Sequence, residues 1–116
     1  MEIEVFADIW CPFTHVSLRK VAAARSEGRF DAVIRVRAWP LELVNGVPLS
    51  PSHVAEEIEE LRAHVDPSAF AGFDEDRFPQ TMLPALRLTA IAYDRGAQVG
   101  EAVALGLRER LFERGQ

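Results

Sequence analysis

The stretch ADIWCPFTHVSL, residues 7–18, holds the only cysteine of the chain. Cys11 stands directly before Pro12, and Thr14 occupies the position where a dithiol redox site would carry its second cysteine. A sulfur at the start of a helix meets N–H groups that have no intrahelical acceptor, together with the positive end of the helix dipole. The N–H groups of Phe13 and Thr14 and the Thr14 hydroxyl can bond such a sulfur there. A protonated His15 adds favourable charge, while Asp8, if close, opposes it. The favourable contacts shift the balance from thiol to thiolate, and thiolate is the nucleophile. The chemistry expected is therefore thiol chemistry: Cys11 attacks, Thr14 hydrogen-bonds the sulfur and Pro12 sets the turn. Trp10 and Phe13 flank the sulfur, either as an apolar rim facing a substrate or as core. The plainer alternative is that Cys11 is a small buried hydrophobe, as free cysteines often are, with His15 incidental and Thr14 a first-turn polar residue.

The rest of the composition narrows the class. A chain of 116 residues fits one modest domain. One cysteine excludes an intramolecular disulfide and a thiolate metal cage. The three histidines, His15, His53 and His64, lack ligand spacing, so no metal site is expected. The net charge of −5 falls entirely in residues 49–116, while residues 1–48 balance. An acidic chain without a basic stripe is a poor partner for nucleic acid. No apolar run approaches the ~20 residues that span a bilayer. The acidic start MEIEVFAD does not read as a secretory signal, so a cytoplasmic protein without membrane contact is expected.

The elements that must position Cys11 can be read from periodicity. EIEVFAD (2–8) alternates apolar and polar residues as a strand. Residues 12–26 read as a helix with Pro12 in its first turn, an apolar face of Phe13, Val16, Leu18, Val21 and Ala22, and Gly28 suited to its end. AVIRVRAW (32–39) alternates again. Strand, helix and strand make a βαβ unit with parallel strands. Residues 41–51 read as a loop, and everything beyond Ser50 as helical. Ser50 and Pro51 open one helix. Residues 66–80 form a loop with a turn of helix, and Thr81 caps the next helix, striped by Leu83, Leu86, Ala90 and Tyr93. A last helix is striped by Val99, Val103, Leu107 and Leu111. The composition shift near residue 49 divides the chain into 1–48 and 49–116.

With these elements around it, VFADIWCPFTHVSLRKV resembles the DsbA-like branch of the thioredoxin superfamily. It is most similar to the FrnE-like group of predicted disulfide oxidoreductases, and more distantly to 2-hydroxychromene-2-carboxylate isomerases and kappa-class glutathione transferases. RVRAWPLELVNG resembles that group's second strand and loop. FDEDRFPQTMLPALRLTAIAY and GEAVALGLRERLFERGQ resemble helices of its inserted helical domain. The resemblance implies an α/β fold: residues 1–48 as the N-terminal half of a thioredoxin-like domain, and residues 49–116 as the α-helical insertion. It implies that Cys11 corresponds to the attacking cysteine of Cys-x-x-Cys, with Thr14 where the resolving cysteine would be.

That departure changes the chemistry expected. A monothiol cannot cycle as a dithiol oxidase by itself, but it can form a mixed disulfide that a second thiol molecule resolves. No tightly bound cofactor is expected; glutathione or another low-molecular-weight thiol would be the co-substrate, and a protein or small-thiol disulfide the substrate. In the glutathione-dependent relatives a hydroxyl residue at this helix start holds the glutathione sulfur, so Thr14 can serve a bound thiol in an isomerase or transferase instead. The family's sheet resumes after the helical insertion with two more strands and a cis-proline loop, where this chain reaches Gln116. Three situations are expected from this: a fragment, a homodimer in which a second copy completes the sheet, or a catalytically altered family member. A catalytically inactive or fragmentary thioredoxin-like module would instead act through dimerisation or partner binding of its helical region, residues 49–116.

Overall fold

The computed structural model describes residues 2–115. Strand β1 (Glu2–Ala7), helix α1 (Pro12–Ser26) and strand β2 (Val33–Ala38) form the expected βαβ unit. The strands pair in parallel, Glu2 opposite Val33 through Ala7 opposite Ala38. Cys11 is the N-cap residue of α1, with Pro12 in the first turn. Helix α1 ends as the sequence suggests: Gly28 follows the last turn at φ 78°, a left-handed conformation that costs glycine little.

Beyond β2 the chain is helical, with more structure than the sequence reading allowed. Pro40 stops the strand, but residues 41–44 form a short helix α2 (Leu41–Val44) rather than loop. Its first N–H, on Leu41, donates to the Asp8 carboxylate at 2.7 Å. Helix α3 spans Pro51–Arg62, and residues 66–80, expected to be loop with a turn of helix, carry two 3-10 turns, Pro67–Phe70 and Glu75–Arg77. Helix α4 is Leu83–Asp94, and helix α5, Ala97–Glu109, runs into a π-helical turn at Arg110–Arg114. Thr81 does serve the start of α4, its hydroxyl accepting the Leu83 N–H at 3.2 Å, but from one position before the N-cap. Met82 is the N-cap residue, and the Glu42 carboxylate accepts both the Met82 N–H and the Thr81 hydroxyl. Among the described residues no helix is long and apolar enough to cross a membrane.

Two apolar clusters hold these elements together. One joins Ile9, Trp10 and Val16 to Val54, Ile58, Phe70, Phe78, Leu86 and Phe112. The other joins Ala7, Leu18, Ile34 and Val36 to Tyr93 and Ala104. Each draws on both sides of residue 49, so the helices after that point are a packed layer on the βαβ unit. The stripes read for α4 and α5 are rotated from the buried faces. In α4 the chain buries Leu86, Thr89, Ala92 and Tyr93, leaving Ala90 exposed; in α5 it buries Gly100, Glu101, Ala104 and Arg108, leaving Val99 exposed.

The two strand edges differ. Val36 N–H donates to the Tyr93 hydroxyl and that hydroxyl donates to the Ile34 carbonyl, both at 2.8 Å. Ile34 N–H donates to the Glu101 carboxylate at 3.1 Å. Side chains of α4 and α5 thus occupy the outer edge of β2. No strand among the described residues pairs with β1 on its other side. The sheet face opposite the core carries the ion pairs Glu2–Arg35 at 2.9 Å and Glu4–Arg37 at 2.7 Å, with Phe6 61% exposed beside them.

Candidate functional site

The segment between β1 and α1 is held from three sides. Asp8, buried, accepts the Trp10 N–H at 3.3 Å through one carboxylate oxygen and the Leu41 N–H at 2.7 Å through the other. The Asp8 carbonyl accepts from the Arg108 guanidinium at 3.3 Å. Ile9 and Trp10 are buried, and the Trp10 ring stacks on Phe78 with centroids 5.8 Å apart. These contacts fix Cys11 in extended backbone, φ −76° and ψ 112°, with a half-buried side chain that solvent can reach. Asp8 therefore reaches the site mainly as a backbone anchor, because both its carboxylate oxygens are occupied.

The expected site residues separate. Cys11, Pro12 and Thr14 share the first turn, and Phe13 stands outward beside them, 46% exposed. The capping bonds expected for the sulfur are absent: the Cys11 side chain makes none. With ψ at 112° its backbone suits an N-cap, but sulfur is a weak acceptor and Pro12 has no N–H to offer. Trp10 resolves to core, not rim. Its indole N–H is buried without a partner, which an apolar stacking position on Phe78 explains.

His15 turns away from the sulfur. Its Nε2 lies 3.0 Å from the Ala69 carbonyl and 3.2 Å from the Glu113 carboxylate, and its ring stacks on Phe112 at 5.0 Å. Burial lowers its pKa to about 4, against the Ala69 bond and aided by the charges of Arg19 and Arg108. It is a neutral donor inside the helical layer near pH 7, so it brings no positive charge to Cys11. No local pattern shows this, because Ala69, Phe112 and Glu113 lie far along the chain from His15.

The residue that the sequence reading missed is Arg108, one hundred positions after Asp8 in the chain and beside it in space. It is 1% exposed, donating to the Ala104 carbonyl at 2.6 Å and to the Asp8 carbonyl at 3.3 Å. Among the described residues its Nε has no partner. Burial lowers the Arg108 pKa to about 10, and the nearby Asp8 carboxylate opposes that shift. The guanidinium is thus a buried cation whose partners are carbonyls. No local signal marks it: α5 carries it on a face whose other buried members are Gly100, Glu101 and Ala104.

What the arrangement offers is a single accessible thiol at a strand-to-helix turn, in a segment that buried Arg108 holds through the Asp8 carbonyl, with an apolar side chain, Phe13, beside it. Among the described residues no group of three or more His, Cys, Asp or Glu side chains is arranged to hold a metal ion. Compared with family models, with curated proteins and with solved structures, the chain matches none.

Proposed function

We propose that this protein is a monothiol thiol-disulfide exchange protein of DsbA-like type, with Cys11 as its nucleophile. The observation that carries the reading is the position of Cys11: half-buried at the N-cap of α1, directly after the first strand of a parallel βαβ unit. The Cys11 thiolate attacks one sulfur of a small disulfide, forming a Cys11–S–S–R bond and expelling the other half as RS⁻. A second small thiolate then attacks the R sulfur, regenerating the Cys11 thiolate and releasing a disulfide. The two steps balance with a glutathione-type thiol and its disulfide and need no resolving cysteine. Arg108 holds the Asp8 carbonyl and so helps fix the segment that carries Cys11. Thr14 sits in the turn that the incoming sulfur must approach. The test is mixed-disulfide formation with oxidised glutathione, followed by mass spectrometry on native and unfolded chain.

A second reading concerns assembly and is favoured by the difference between the two strand edges. Tyr93 and Glu101 cover β2, whereas β1 offers unpaired backbone next to exposed Phe6. Trp39 N–H donates to the Ala7 carbonyl, so Ala7, Val5 and Ile3 turn their backbone groups toward β2, while those of Glu4 and Phe6 face outward. A second copy pairing antiparallel about Val5 would set Glu4 opposite Phe6 and keep the two Glu4 side chains apart. Sedimentation of the intact chain tests it.

A further inference from the structure

We infer that the cleft between the outer edge of β2 and helix α4, floored by Arg108, is a binding site for a small oxyanion, a carboxylate or a phosphate. Its volume is about 210 Å³, which suits a small anion better than a drug-sized ligand. Three of its wall residues are arginines: Arg35, Arg37 and Arg108. Arg35 and Arg37 bind Glu2 and Glu4 through Nε, so the terminal N–H groups of each fork can serve another acceptor. Arg108 is the deciding member. A buried cation without a contacting carboxylate is costly, and a partner that enters relieves that cost. Its Nε is buried and unpartnered, while its two bonded nitrogens meet only carbonyl oxygens. Asp8 compensates part of its charge from a distance, but the Asp8 carboxylate is committed to the N–H groups of Trp10 and Leu41. Asp94 is the one acidic residue among those lining the cleft, and Glu2 and Glu4 already pair with Arg35 and Arg37, so Arg108 is the cation of the lining without a contacting carboxylate. Guanidinium groups recognise planar and tetrahedral oxyanions through paired N–H donors. This site does not depend on the reactivity of Cys11.

The test is titration of the intact chain with inorganic phosphate and, separately, succinate, at constant ionic strength, following the Arg108 Nε–H resonance by NMR. The expected result is a saturable shift of that resonance with at least one of the two, half-complete below about 10 mM. Ala90→Glu, on the exposed rim of the cleft, places a carboxylate at its mouth and is expected to weaken binding about fivefold or more. Leu88→Glu adds the same charge to α4 outside the cleft lining and is expected to change it less than about twofold. Ala90 on the rim and Leu88 outside it are both exposed, so the variants test the site without removing Arg108 from the interior. No saturable shift with either anion up to about 50 mM overturns the inference. So does an equal effect of the two variants, which would reduce the attraction to diffuse charge.

Discussion

The Tyr93 hydroxyl closes the outer edge of β2 by accepting the Val36 N–H at 2.8 Å. Donation to the Ile34 carbonyl completes the bridge, so one side chain of α4 does what a neighbouring strand would do. Tyr93→Phe leaves that N–H and carbonyl unpaired in the interior and is expected to cost about 1–3 kcal/mol of stability. Gly100→Ala is expected to cost about 3 kcal/mol, because a Cβ there falls inside the Tyr93 ring and drives it from the strand. Denaturant midpoints at unchanged slope measure both. A Tyr93→Phe loss below about 0.5 kcal/mol would mean that the bridge contributes little.

Glu101 guards the same edge with a charge. Its carboxylate takes both terminal nitrogens of Arg25 and the Ile34 N–H. Burial raises the Glu101 pKa, but the Arg25 and Ile34 bonds outweigh it and hold it below the ordinary value of 4.5. The folded state therefore binds this proton less readily than the unfolded chain. The resulting stability is present above pH 4.5 and is lost as pH falls through the lower folded value. Glu101→Gln is expected to lose about 2 kcal/mol at pH 7 and to flatten the part of the acid limb below pH 4.5. Equal acid limbs in the two proteins would contradict the assignment.

His15 gives a second, higher pH window. Its folded value of about 4 lies below the ordinary 6.5, so the unfolded chain takes the proton first as pH falls. The stability from burying it neutral is complete above pH 6.5 and disappears between 6.5 and 4, a loss of about 3 kcal/mol. His15→Leu removes the titrating group and is expected to reduce the slope of stability against pH in that window, whatever it does to the absolute value. An unchanged slope would assign the window to another group.

Assembly through β1 predicts a dimer at tens of micromolar by sedimentation equilibrium. Phe6→Pro is expected to give a monomer with unchanged far-ultraviolet circular dichroism, since the Phe6 N–H faces outward and proline there removes no bond to β2. A monomeric parent chain would contradict the edge-pairing reading.

Much of the positioning frame was legible because it rests on short-range patterns. The alternation in residues 2–8 and 32–39 marked both strands, and Pro12 and Gly28 marked the limits of α1. The site was legible only where local chemistry names it, at Cys11 and its turn. His15, Trp10 and Arg108 were decided by packing between distant segments. Val99, Val103 and Leu107 carry the apolar signal of α5, yet its most buried face holds Gly100, Glu101, Ala104 and Arg108. A glycine accommodates the Tyr93 ring, Glu101 reaches a strand edge and Arg108 reaches the Asp8 carbonyl. Hydropathy sends such charged residues to solvent, because their partners lie outside any local window.

The central claim is that Cys11 is a reactive monothiol, and its rate of mixed-disulfide formation with oxidised glutathione tests that most directly. Native and denaturant-unfolded chains are compared at pH 7 by mass spectrometry, with Cys11→Ser as the blank. The account predicts that the folded protein reacts about tenfold faster than the unfolded chain, through the fixed and solvent-reached position of Cys11 in the open turn. A folded protein that reacts far more slowly than the unfolded chain would make Cys11 a packing residue and contradict the claim.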